Sequence, residues 1–308
     1  MKGGNGTVVA VGLVALAVLQ AWPVSAQHPG SALVVRAEWL ADHLDDPDVV
    51  VLQVGPEEIY TREHVPGSRF VSLDMIRAPM PDDGDHANHL ALELPPAETL
   101  RLTLQDLGVS DQSLVVVVPS EAWLTPSARV VFTLDYMGLG DRTRFLDGGL
   151  EAWKAAGHPV SATVPSATPG HLTTGPVTRV VSHEWVAEHA TEAGYALLDA
   201  RAPAFFDGLR DDRGKMGHIP GAASLPWTEL VIDAESEGKP VFLRPPEEIR
   251  DLFHRAGVED GDTVVAYCHI GQYGTMVLLA ARMLGHEVRL YDGSMNEWAM
   301  LDLPVEGR

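Results

Sequence analysis

Two heptapeptides nearly repeat each other: Val34-Val35-Arg36-Ala37-Glu38-Trp39-Leu40 and Val180-Val181-Ser182-His183-Glu184-Trp185-Val186. They lie 146 residues apart, a domain-scale spacing and not the roughly 20–50 residues of a solenoid repeat. The parallel continues in order. His64-Val65-Pro66-Gly67-Ser68 answers His218-Ile219-Pro220-Gly221-Ala222, and Leu107-Gly108-Val109 before an apolar run answers Ala256-Gly257-Val258 before another. Asp147-Gly148-Gly149 with Trp153 answers Asp292-Gly293-Ser294 with Trp298. Collinear matches of this kind require a duplicated domain. Residues 161–178 are rich in Ser, Thr, Pro and Gly, the composition of a linker. The expected organisation is a signal segment over 1–26, a first domain over 28–160, the linker over 161–178 and a second domain over 179–308.

Each half alternates short apolar runs with helical patterns. Val49–Val54, Leu114–Val118, Ala196–Asp199 and Thr263–Tyr267 are apolar at successive positions, which marks strands buried on both faces. Pro245–Ala256 and Thr275–Leu284 carry helical spacing, with prolines at one start and Gly285 past the other end. The spacing predicts an α/β fold: two domains, each a parallel sheet flanked by helices.

The formal charge of −21, from 43 acidic and 22 basic residues, argues against a nucleic-acid or anionic-membrane surface. Lys2, the apolar run Val8–Leu19 and the small residues of Val24-Ser25-Ala26 fit a secretory signal cleaved after Ala26. The run is too short to span a bilayer, so no stable membrane insertion is expected after cleavage, and the mature chain is expected to be periplasmic or secreted. One cysteine in an exported chain cannot form an internal disulfide. It is either a buried hydrophobe or a reactive thiol.

Its neighbourhood points to chemistry. The strand Thr263–Tyr267 runs into Cys268-His269-Ile270-Gly271-Gln272-Tyr273-Gly274-Thr275 and then into an apolar helix. The thiol therefore sits at the carboxyl end of a parallel strand and at a helix N-terminus, where ligands collect in open α/β sheets. Unpaired amides and the helix dipole favour an anion there. Thiol pKa values at such positions fall from ~8.5 into the ~3.5–7.5 range, so a depressed Cys268 pKa is expected. Gly271 and Gly274 allow the loop to curl its amides inward.

Leu198-Asp199-Ala200-Arg201, Gly217-His218-Ile219-Pro220-Gly221-Ala222, Tyr267-Cys268 with Gly271, and Leu290-Tyr291-Asp292-Gly293-Ser294 with Trp298, in this order, resemble a tandem-domain rhodanese. The resemblance covers nearly the whole mature chain. It implies a sulfurtransferase in which the Cys268 thiolate takes a sulfane sulfur as a persulfide and hands it to cyanide or another thiophilic acceptor. It implies no metal and no organic cofactor, and a site between two facing α/β domains. His269, Ile270, Gly271, Gln272 and Tyr273 then correspond to the loop whose amides stabilise the persulfide.

The chain departs from that pattern at Tyr273, where related loops often end in Arg, Thr or Ser, and at Phe205, where many relatives carry a substrate-binding Arg. Arg210, Arg213 and Lys215 are the candidates to compensate. Asp199 and Arg201 read as a structural pair, and His218 as architectural. The acidic stretch Asp82–His89 has no metal-ligand spacing and reads as a solvated loop. In the first half Pro119 falls opposite Cys268, and Pro119-Ser120-Glu121-Ala122-Trp123 offers no thiol, so that domain is expected to be silent and to cover the site. Against a Cys-(x)5-Arg phosphatase, the rival enzyme class, Gly274 stands at the sixth position after Cys268, where the phosphate-clamping Arg belongs. Among donors the reading leans to thiosulfate, with 3-mercaptopyruvate as the alternative. A non-catalytic sulfur carrier or thiol-redox sensor is the remaining rival.

Overall fold

The computed structural model describes Met1 and residues 33–81, 89–166, 168–232 and 238–307. The 1–26 signal segment and most of the acidic stretch beginning at Asp82 lie outside the described residues, apart from Met1 and His89. Among the described residues no helix is long and apolar enough to cross a membrane.

The first half contributes β1 (Val34–Val35), β2 (Val49–Val54), β3 (Arg69–Val71), β4 (Leu114–Pro119) and β5 (Thr143–Leu146), all parallel, in the order β1-β5-β4-β2-β3. The second half contributes β6 (Val180–Val181), β7 (Tyr195–Asp199), β8 (Ala223–Ser224), β11 (Thr263–Tyr267) and β12 (Val288–Tyr291), also parallel, in the order β6-β12-β11-β7-β8. The two orders are the same topology written twice, as the sequence repeat requires. A small antiparallel pair, β9 (Val231–Ile232) and β10 (Phe242–Leu243), is added in the second half. Central strands β4 and β11 are buried almost throughout, which is why their sequences are continuous apolar runs.

In the first half the helices are α1 (Ala37–His43), α2 (Glu57–Arg62), α3 (Ala97–Asp106), α4 (Thr125–Leu134) and α5 (Gly149–Ala155). The second half adds α6 (His183–His189), α7 (Pro203–Phe206), α8 (Pro246–Arg255), α9 (Tyr273–Leu284) and α10 (Ser294–Met300). Helices α4 and α9 follow the two central strands and pack on each other across the middle of the molecule. Both are buried on nearly every side, α4 including its polar Thr125, Ser127, Arg129 and Thr133. One apolar core therefore runs through both sheets, from Leu52 and Val117 to Val264 and Leu290.

Two polar contacts dock the halves reciprocally. Leu94 N–H donates to Asp292 Oδ2 at 2.9 Å, and its counterpart Leu243 N–H donates to Asp147 Oδ1 at 2.9 Å. The two carboxylates differ in charge compensation. Asp292 is paired with the wholly buried Arg129 of α4, which also donates to the carbonyls of Leu92 (2.7 Å) and Gly271 (3.0 Å). The position of α9 corresponding to Arg129 is Leu278, and among the described residues Asp147 has only the half-exposed Arg36 at 3.4 Å. Burial accordingly pushes the Asp147 carboxyl up to about 6, against the Leu243 amide and Arg36, which pull it down.

Two outcomes are expected. The folded Asp147 pKa of about 6 lies above the ~3.9 of an unfolded chain. Its stability contribution is therefore complete below pH ~4 and lost as pH rises through the folded value. Asp147→Asn keeps the acceptor for Leu243 and should exceed the wild type by up to about 3 kcal/mol at neutral pH, with no advantage near pH ~4. Urea denaturation across that range checks this, and a pH-independent difference would contradict it. Arg129→Met leaves Asp292 buried without its cation and should cost about 3–5 kcal/mol in the same assay.

Candidate active site

Strand β11 ends at Tyr267 and helix α9 begins at Tyr273, so Cys268 and the next four residues form a tight strand-to-helix loop. The carbonyls of this loop are turned outward and held. Cys268 O accepts from Met295 N–H and His269 O from Asn296 N–H, both at 3.0 Å from the first turn of α10. Gly271 O accepts from Arg129. With carbonyls anchored outside, the amides point inward at sulfur. Tyr273 N–H lies 3.2 Å from Cys268 Sγ, and the amides of Gly274, Ile270 and Gly271 also act on it.

Gly271 makes the curl possible. Its φ is +80°, and a Cβ there would stand 2.6 Å from Asp292 O and 2.7 Å from Asp292 Oδ1. Ser294 supports the loop from beneath: its Oγ accepts from Cys268 N–H at 3.1 Å and donates to Tyr291 O at 2.9 Å. Ser294 holds φ +52°, an uncommon left-handed conformation for a residue with a Cβ, where the first copy has Gly149 at φ +56°.

Cys268 is fully buried at the floor of a cavity of about 440 Å³. Burial pushes the thiol up, while the four amides pull it down, and burial prevails. This corrects the expectation of a depressed pKa. The amides were legible locally, but the desolvation comes from chain segments brought in from elsewhere. One such segment is the first domain, whose half-exposed Trp123 forms one wall of the cavity.

The remaining walls are Asp212, Arg213, His269, Ile270, Gln272 and Tyr273. Gln272 also donates to Thr125 Oγ1 of the first domain at 2.8 Å. Gly274 and Thr275 lie in the base of α9, where Thr275 Oγ–H donates to Gln272 O at 2.6 Å. Of the three basic candidates only Arg213 reaches the cavity. It occupies the left-handed region (φ +56°) ahead of Gly214 in the tight Asp212–Lys215 hairpin. Arg210 lies over the Phe205 ring at 4.7 Å, and Phe205 meets His269 edge-on at 4.7 Å. Lys215 is bonded instead to Asp302 at 2.6 Å.

Asp199 and Arg201 are wholly buried and paired through Arg201 Nη2 at 2.6 Å. Arg201 also bonds Gly217 O at 2.8 Å and Asp212 at 3.1 Å, so the pair fixes the hairpin that carries Arg213. Tyr267 O–H donates to Asp199 at 2.7 Å from the strand before the cysteine. His218 stacks on Phe206 at 3.7 Å, with Nδ1 2.8 Å from Phe206 O, away from the thiol. Sequence reasoning missed Arg129, Ser294 and Asp212. Of these only Ser294 left a local signal, as a serine aligned with a left-handed glycine.

A buried thiol ringed by amides at a strand end can hold a sulfur-borne negative charge. The comparisons agree with that chemistry. A family model described as a rhodanese-like domain matches residues 36–156 and again 182–301. The 3-mercaptopyruvate sulfurtransferase of Escherichia coli (strain K12) is 30% identical, over 88% of this chain and 97% of that protein. The thiosulfate sulfurtransferase of Azotobacter vinelandii is 28% identical, over 89% and 97%. The crystal structure of SseA from Escherichia coli superposes with a TM-score of 0.71 at 27% identity, covering 86% of this chain and 99% of that one. The two matched segments and the duplicated fold give one conclusion: the chain belongs to the rhodanese family, as a tandem-domain member.

Proposed function

We propose that the protein carries sulfur as a persulfide on Cys268, taking it from thiosulfate or a related small anionic donor and passing it to cyanide or a thiol. That it is a sulfurtransferase follows from its family. The observation that carries the assignment to Cys268 is the inward ring of amides around its Sγ. Those amides stabilise the thiolate that attacks the donor and the persulfide anion that results. Arg213 is the residue best placed to receive the anionic end of a donor, since it lines the same cavity.

A second donor, 3-mercaptopyruvate, is favoured by the cavity walls. Arg213 is the only guanidinium among the described lining residues, set beside Trp123, Ile270 and Tyr273. One cation in partly apolar surroundings suits one carboxylate on an organic body better than a small dianion. Both donors would form the same persulfide.

The first domain acts as cover and support. Pro119 ends β4 where Cys268 follows β11, and that half holds no thiol. The pattern from Lys2 to Ala26 supports export of the mature chain.

Cys268→Ser should abolish thiocyanate formation from cyanide with either donor while leaving the melting temperature nearly unchanged, since serine fits the same loop. Persistent activity in the purified variant would contradict the assignment, because the chain has no second cysteine.

A further inference from the structure

Beside the sulfur-bearing residue stands a histidine whose ring is already fixed in place. His269 Nδ1 lies 2.6 Å from Asp212 Oδ2. Asp212 is itself buried and held by Arg201 Nη1 at 3.1 Å. A carboxylate at that distance accepts Nδ1–H and leaves the lone pair on Nε2. The ring is steadied edge-on by Phe205 at 4.7 Å and Tyr273 at 5.7 Å. Among the described residues Nε2 has no hydrogen-bond partner, and the ring lines the cavity whose floor is Cys268.

The reaction has a use for such a group. Burial favours the protonated thiol, so a proton must leave Cys268 before it can attack. Resting on the sulfur-transfer reading above, we propose that His269, positioned by Asp212, is the proton-transfer residue of this site. It accepts the Cys268 thiol proton and returns it to the departing fragment of an organic sulfur donor.

The step balances with 3-mercaptopyruvate. The Cys268 S–H proton passes to Nε2, and the thiolate attacks the donor sulfur. An S–S bond forms, the donor C–S bond breaks, and its electron pair leaves with carbon as the enolate of pyruvate. Nε2–H then protonates that enolate, while the donor's own thiol proton stays with the transferred sulfur as Cys268–S–SH, whose ionisation to solvent gives the persulfide anion that the amides hold. Thiosulfate makes only the first demand, because sulfite departs with its electron pair and needs no proton. The side chain at 269 thus separates donors by how their leaving group takes up a proton.

The charged and titratable groups facing His269 are Asp212, Arg213, Tyr273 and Cys268, with Arg201 behind Asp212 and Arg210 over Phe205. Asp212 holds an ionised carboxylate against burial through His269 and Arg201, as its lowered pKa requires. It is a positioning residue: Asp212→Asn weakens the hold on Nδ1 that orients the ring, and should lower kcat with 3-mercaptopyruvate more than with thiosulfate.

The test compares wild type and His269→Gln with 3-mercaptopyruvate and with thiosulfate, cyanide as acceptor, from pH about 6 to about 10, with thermal melting to confirm folding. With 3-mercaptopyruvate the variant should lose about 100-fold or more in kcat and remain impaired at the highest pH. With thiosulfate the loss should shrink to roughly threefold there, as the thiol ionises unaided. Equal losses with both donors at every pH, or unchanged turnover of 3-mercaptopyruvate, would overturn the proton-transfer role. If the wild type uses thiosulfate alone, a deficit that persists at high pH would overturn it too. A folded wild type that turns over neither donor would instead overturn the sulfur-transfer reading on which the role rests.

Discussion

Everything at the site depends on the outward anchoring of the loop carbonyls between Cys268 and Gly271. A peptide group has two polar ends, and fixing the C=O on one side commits the N–H groups of the curl to the other. Two anchors come from the start of α10 and one from Arg129 of the first domain. The cradle around Cys268 is therefore not a property of the loop alone. It exists because a helix of the same domain and a helix of the other domain grip its back.

This gives the thiol-free copy a physical function. Its α4 buries against α9, Arg129 crosses to Asp292 and Gly271, Thr125 receives Gln272, and Trp123 walls the cavity. The duplication left two equivalent docking carboxylates, Asp147 and Asp292, but among the described residues only the one under the cysteine loop has a buried arginine. Burial of that ion pair is costly, and its return is geometric: the loop is fixed in one conformation. The asymmetry between the copies follows the one cysteine, which lies in the second.

Much of this was legible in the sequence. The repeat predicted two copies of one topology, and the apolar runs at β2, β4, β7 and β11 predicted parallel strands buried on both faces. The strand–Cys–Gly–helix order predicted a strand-to-helix loop at Cys268, and the structure has one between β11 and α9. What the sequence did not carry was contact across the repeat. Arg129 meets Gly271 across 142 positions, and nothing near either residue announces the other. The expected fall in the thiol pKa failed for the same reason, since amides are local whereas the burial that outweighs them is tertiary. Lys215 looked as eligible as Arg213 until the hairpin turned one toward Asp302 and the other into the cavity.

The central claim is that sulfur resides covalently on Cys268 between donor and acceptor. Peptide mass spectrometry of the folded protein, sampled after donor and again after cyanide, tests it most directly. The account predicts one added sulfur atom on the peptide containing Cys268 after donor, and its disappearance after cyanide. Donor consumption with Cys268 unmodified throughout would contradict it.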